Sequence, residues 1–204
     1  MMRGVLKGLV HCAVIAILAA CASTAPPIRY IQLSDEGVPL GTASSPIVMV
    51  DAVAVPDFLL RNELLMRIDQ HRLSYNTGVR WAEPLDIGVQ RVLATRLSAA
   101  LDSFAVFSFP SGRSGRDLDW RVDVTLRNFE ATGSDVVLRA DVQLHPRDGQ
   151  EILTEPFEAR ARLASSDPAV VAAGLSALLG RLANDIATRI KSINSATAEI
   201  DAPP

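Results

Sequence analysis

Cysteine is nearly missing from this chain of 204 residues, with only Cys12 and Cys21 present. Cys12 lies inside an N-terminal apolar run and Cys21 closes it, so everything beyond residue 21 has no disulfide available and must stand on packing alone. Histidine is also scarce. Of three histidines, only His71 and His145 lie beyond the N-terminal run. Neither belongs to an H-x-x-x-H or H-E-x-x-H spacing, which leaves out the paired imidazoles of a helical zinc site. Gly112-Arg113-Ser114-Gly115 lacks the G-x-S-x-G spacing of a nucleophile elbow and the G-K-[ST] of a phosphate loop. It leads into no helical pattern and reads as a turn. Asp117 and Asp119 flank Leu118 at a strand start and read as solubilising. No catalytic set, metal site or cofactor site is expected, and an enzyme is the reading set aside. A basic excess is missing too: the formal net charge is −3, which argues against nucleic acid as a partner.

The N-terminus is informative. Arg3 and Lys7 form a positive n-region and Leu9 to Leu18 an apolar h-region, shorter than the roughly 20 residues that cross a bilayer core. Residues 1–20 therefore read as a signal peptide. Leu18-Ala19-Ala20-Cys21 resembles the bacterial lipobox, in which the cysteine is acylated and becomes residue one of the mature chain. Ordinary secretory cleavage, which Ala20-Cys21-Ala22 also satisfies, and an uncleaved anchor are the alternatives. Cleavage leaves 184 of the 204 residues. Because the removed segment holds two basic and no acidic residues, the remainder carries 18 basic against 23 acidic side chains, a balance unsuited to adhesion on anionic lipid by charge. Residues 21–29 read as a lipidated tether, 30–194 as a single domain and 195–204 as a flexible tail.

Within the domain, Tyr30–Leu33 is a first strand and Gly37–Pro46 a loop. Ile47–Val55, apolar except for Asp51, reads as a central strand covered on both faces, closed by Pro56. Leu64–Ile68 and Arg72–Tyr75 form a hairpin about Asp69-Gln70-His71. Pro84, suited to a helix's first turn, opens a helix whose Leu85, Val89, Val92, Leu93 and Leu97 recur on one side, with Asp86, Gln90, Arg91 and Arg96 on the other. Phe104–Phe109 has the content of a strand. Trp120, Val122, Val124 and Leu126 then alternate with charged or polar residues, as do Leu138, Ala140, Val142 and Leu144 after Thr132–Asp135. Phe157, Ala159, Ala161 and Leu163 do the same after Asp148-Gly149, which together predicts an antiparallel meander with a solvated, mixed-sign outer face. Asp167-Pro168 caps a helix reaching Ile193. These patterns predict an α+β two-layer sandwich, with a mixed sheet, a C-terminal antiparallel meander and both long amphipathic helices on one face. Phe58, Leu59 and Leu60 follow the proline-ended strand. They form either a buried turn under the sheet edge or an apolar lip for a partner or lipid, and Trp81 is a rim or core residue that could join such a contact.

Several of these pieces occur together in one family. The lipobox, Tyr30-Ile31-Gln32-Leu33, the strand ending at Pro56, Phe58-Leu59-Leu60-Arg61, and Arg80-Trp81-Ala82-Glu83-Pro84-Leu85 ahead of Arg91-Val92-Leu93-Ala94 resemble the ABC-type transport auxiliary lipoproteins of the PqiC type. The resemblance implies an outer-membrane lipoprotein, on the periplasmic face, that accompanies an MCE-domain protein and its ABC permease and ATPase. Such systems move phospholipid or similar apolar solutes between membranes. It implies no catalytic residues, and it allows a homo-oligomer. The alternative is an outer-membrane assembly lipoprotein supporting a β-barrel. Ala22 favours the outer membrane, because an Asp after the cysteine would resemble an inner-membrane retention signal. Acylation at Cys21 contributes about 0.8 kcal/mol per buried methylene. Cys21→Ser should therefore release the chain from the membrane fraction, and a variant that stays acylated and membrane-bound would refute the assignment.

Overall fold

The computed structural model describes residues 26–112, 117–147 and 152–200, the last four as backbone only. Cys21, Ser114 and the Asp148-Gly149 turn lie outside them. The longest strand, β6 (Trp120–Thr132), organises the sheet. Its Trp120, Val122, Val124 and Leu126 face the core, as their alternation predicts. If that alternation continued, Asn128 and Glu130 would turn inward. A register shift between Leu126 and Asn128 prevents this: the extra residue, Arg127, reverses the parity, so Phe129 and Ala131 enter the core and Glu130 takes the opposite face.

One edge of β6 pairs along its length with β7 (Asp135–Pro146), and β7 pairs with β8 (Leu153–Arg162), giving the expected antiparallel meander. The other edge is divided. Near Trp120 it pairs in parallel with β2 (Val48–Val50), beyond which lies β5 (Val106–Ser108), also parallel. At Ala131 and Thr132 it pairs in parallel with β3 (Glu63–Arg67). The hairpin partner of β3 is β4 (Leu73–Trp81), and β1 (Arg29–Ile31) lies parallel to β4. The sheet is thus eight-stranded, mixed and forked.

Two expected strands are shorter. Of Ile47–Val55 only Val48–Val50 is regular; beyond it the chain follows β6 through Asp51 N–H to Val122 O (2.9 Å) and Ala54 N–H to Val124 O (3.0 Å). Phe104–Phe109 contracts to β5 because β2 offers it only three partners.

Helix α1 (Leu85–Leu101) follows Pro84, which sits at the N-cap, one position before the first turn where it was expected. The helix ends on Asp102 in the left-handed region at φ 54°. The expected stripe is buried, but so is Gln90, assigned to the solvent side and found 5 % exposed. Its side-chain amide donates to the carbonyls of Val50, Asp51 and Phe109 at 3.2, 2.9 and 3.0 Å. A polar residue can occupy this core position because it satisfies three strand-end acceptors.

Helix α2 (Pro168–Ile200) begins as expected, Asp167 accepting from Ala169 N–H at 2.9 Å. It continues past Ile193 into the segment read as a tail. The helix is long and apolar enough to cross a membrane, yet Leu175, Leu178, Leu179, Leu182, Ile186 and Ile190 are wholly buried in the domain core. It packs on α1 and touches the outer strands β1 and β8, so that part of the sheet curls round it. Leu182→Ala should cost about 2–5 kcal/mol, read as a lowered midpoint in urea unfolding; an unchanged midpoint would show the stripe to be a free surface.

Candidate functional site

Phe58, Leu59 and Leu60 fall in the fork, where the chain passes from β2 to β3. Asp57–Leu59 forms a 3-10 turn. Leu59 is 2 % exposed and Phe58 packs partly against the core, while Leu60 is 53 % exposed. The Phe58 carbonyl accepts from the Tyr75 hydroxyl at 3.1 Å, and the Arg61 guanidinium lies 4.5 Å from the Tyr75 ring centroid. Trp81 is 7 % exposed and belongs to the core. The four candidates therefore form no continuous apolar lip. Leu59 and Trp81 are packing residues, and of the four only Leu60 is largely in solvent.

The W-A-E-P stretch instead builds an ionic latch. Glu83, just before the helix, lies against Arg91, two turns into it. Arg91 Nη2 is 2.7 Å from Glu83 Oε1 and 2.8 Å from the Leu33 carbonyl, while Nη1 is 2.7 Å from Asp35 Oδ1. Thr95 Oγ1 donates to Asp35 Oδ2 at 2.8 Å, and Gln32 Nε2 donates to Glu83 Oε1 at 3.2 Å. A Cβ at Gly88 would lie 3.1 Å from Glu83 Oε1, so the glycine in the helix makes room for the carboxylate. The hydrogen bond that Arg91 donates to Glu83 leads in raising the Arg91 pKa, against the cost of partial burial. At Asp35 burial pushes the carboxyl up, but the hydrogen bonds from Thr95 and Arg91, with the Arg91 charge, outweigh it and leave the pKa below its ordinary value. Sequence spacing gave no sign of Asp35 in this group, since it lies 56 residues from Arg91; Gly88 inside a helix was the one local hint.

The sheet face away from the helices carries the mixed-sign ladder expected of it. Arg121 pairs with Asp51 at 2.6 Å, His145 Nε2 with Asp123 at 2.8 Å, Arg127 with Asp141 at 2.6 Å and Arg139 with Glu158 at 2.8 Å. Glu130, 2 % exposed, is held by Arg67 and Asn128. Asp119 is not merely solubilising: it accepts from Ile47 N–H at 2.7 Å and pairs with Arg147 at 3.1 Å, fastening β6 to its neighbours. His71 is exposed in the β3–β4 turn. Among the described residues no group of three or more His, Cys, Asp or Glu side chains could hold a metal ion. A cleft of about 220 Å³ opens between α2 and the β7–β8 ladder, walled by Val142, Leu144, Leu153 and Ile193. It is smaller than the roughly 300–1,000 Å³ usual for small-molecule sites, and Arg189 beside it is already paired with Glu155 and Asp185.

A forked mixed sheet covered on one side by two helices, with the segment after its first strand latched to the helix that follows a W-A-E-P stretch, defines an α+β two-layer domain. The chain belongs to the family of ABC-type transport auxiliary lipoprotein components, which matches residues 32–187. It is 29 % identical over 145 residues to the intermembrane transport lipoprotein PqiC of Escherichia coli (strain K12), covering 69 % of this chain and 74 % of that protein, and equally to PqiC of Shigella flexneri. Among solved structures, an uncharacterised protein superposes with a TM-score of 0.66 at 21 % identity, covering 81 % of this chain and 99 % of that one. Protein XCC0632 from Xanthomonas campestris gives 0.56 at 17 % identity, covering 83 % and 98 %. These two establish the fold.

Arg91→Met would take the guanidinium from two partly buried carboxylates and a carbonyl, while Thr95 still donates to Asp35 and Gln32 to Glu83. The expected loss is about 1–2 kcal/mol, held below that of a fully buried pair by solvent screening at this half-exposed site. Because folding lowers the Asp35 pKa below 3.8, its contribution is full above about pH 4 and is lost as pH falls through the folded value. Asp35→Asn should remove that acid-dependent part. Urea midpoints at neutral and acid pH measure it, and a variant with the wild-type pH slope would refute the latch.

Proposed function

We propose that this chain is a non-catalytic, lipid-anchored subunit of an ABC/MCE-type intermembrane lipid transport system, docking the conduit on the periplasmic face of the outer membrane. The observation that carries this reading is the family match over residues 32–187, which takes in α1, strands β2 to β8 and α2 as far as Ala187. Two further features support it. Cys21 follows a lipobox-like run and precedes Ala22. The charged groups of the open sheet face are largely neutralised in pairs, which suits protein contact better than binding to a polyanion.

Cross-linking in intact cells, followed by purification of the full-length chain from membranes, should recover an MCE-domain subunit. Recovery of a β-barrel without any MCE subunit would replace this reading with the assembly-lipoprotein alternative. On a density gradient the chain should travel with outer-membrane markers, and residence solely with inner-membrane markers would overturn the location.

A further inference from the structure

One arginine of the helical layer lacks the counter-charge that its neighbours have. Arg91 on α1 meets Asp35 and Glu83, and Arg189 on α2 meets Asp185 and Glu155. Arg96, also half-buried, pairs with no carboxylate among the described residues: its Nη2 donates to the Ser34 carbonyl at 3.2 Å, and its Nε is buried without a hydrogen-bond partner. Holding a guanidinium partly out of water is costly when no anion faces it. Space is nevertheless kept for it. A Cβ on Gly180 of α2 would lie 3.0 Å from Arg96 Nη1, so a glycine, unfavourable inside a helix, leaves the guanidinium its room.

Arg96 lines a cleft of about 240 Å³ between the two helices, with Ala99 and Ala100 from α1, Gly180 and Asn184 from α2, and Val38 from the loop that crosses them. No described Asp or Glu lines it. Lys191 adjoins it, donating from Nζ to the Ala100 carbonyl at 2.8 Å and pairing with no carboxylate among the described residues. The end of α1 would otherwise turn partial negative charge toward an anion, but the Ala99 and Ala100 carbonyls are already bonded, to Asp102 N–H and to Lys191. The cleft is therefore cationic on a chain whose formal net charge is −3. Two cations and the exposed Asn184 amide suit a phosphate, which brings more oxygens and more charge than a carboxylate does.

We propose that this cleft between α1 and α2 binds a phosphate group through Arg96 and Asn184, with Lys191 adding charge, the phosphate being that of a phospholipid headgroup or the free anion. The site needs neither the anchor at Cys21 nor a docking partner. To test it, the full-length chain in a phosphorus-free non-ionic detergent is titrated with inorganic phosphate and, separately, with glycerophosphoethanolamine, and the line width of each probe is followed by phosphorus NMR at constant ionic strength. Saturable binding is expected. Asn184→Asp, an isosteric change at an exposed helix position, gives Arg96 the carboxylate it lacks and should weaken binding roughly tenfold or more. Arg96→Gln should do the same; because it also gives up the Ser34 carbonyl, Asn184→Asp decides the matter if that variant folds poorly. Arg181→Gln, which removes an exposed arginine outside the cleft, should bind like the parent chain. Saturation by glycerophosphoethanolamine assigns the site to headgroups, and saturation by inorganic phosphate alone assigns it to the free anion. No saturation by either probe, binding that Asn184→Asp leaves intact, an equal loss in Arg181→Gln, or displacement by acetate at the same ionic strength overturns the site.

Discussion

One strand carries the connectivity of this fold. β6 pairs with β7 along one whole edge, bulging once at Arg127, and divides its other edge between β2 and β3, so two sub-sheets that share no strand pairing of their own are joined only through it. The Arg127 bulge makes this workable. Without the parity change, the half of β6 facing β3 would present Asn128 and Glu130 to the core and Phe129 to the open face, and the β3 branch would have no apolar partner. With the change, Phe129 and Ala131 continue the surface that Trp120 to Leu126 begin, and Glu130 is left where Arg67 can meet it.

The latch at Arg91 solves a second problem. The chain from Leu33 to Ile47 crosses the helical layer with little regular structure, and loops of that kind hold position only where their backbone groups find partners. Arg91 and Arg96 donate to the carbonyls of Leu33 and Ser34, and Ser176 of α2 accepts from Ser34 N–H at 3.0 Å. Further on, Ser98 and Asp102 accept from the amides of Gly41 and Thr42. A Cβ on Gly41 would fall 2.0 Å from the Ser103 nitrogen, so the loop lies directly on the end of α1. The two helices therefore cover the core and also hold down the segment that leads in from the N-terminus.

The regular parts of the domain were legible from local pattern. Period-two alternation located the meander, and three-to-four spacing located both helices, because each places one apolar face on one core. What escaped reading was non-local. Gln90 has the sequence character of a solvent residue and is buried because β2 and the Phe109 turn end beside it and turn the carbonyls of Val50, Asp51 and Phe109 toward its amide. Asp35 and Asp119 resemble surface carboxylates and find partners 56 and 72 residues away. The run Ile47–Val55 has strand composition throughout, but only Val48–Val50 pairs regularly, between the short β5 and β6. The apolar triplet after Pro56 illustrates the same limit: sequence shows three large side chains, and only the fork shows that Leu59 fills its floor while Leu60 does not.

A lipid anchor changes the mechanical demand on such a fold. In the proposed arrangement, any pull between membrane and partner enters through residues 22–28 and arrives first at β1, a strand of three residues bonded on one side. Three residues of parallel pairing are too few to resist peeling, since each added hydrogen bond contributes only about 0.5–1.5 kcal/mol and the bonds would break one after another. Immediately downstream, however, Gln32 bonds to Glu83, Leu33 and Asp35 to Arg91, and Ser34 to Arg96 and Ser176. Those contacts spread over both helices and must be displaced together, which turns a sequential peel into a cooperative rupture. The latch lies where load passes from tether to core, giving Glu83 and Arg91 a reason to be charged rather than apolar: a directional bond to the entering backbone, which no aliphatic pair could supply.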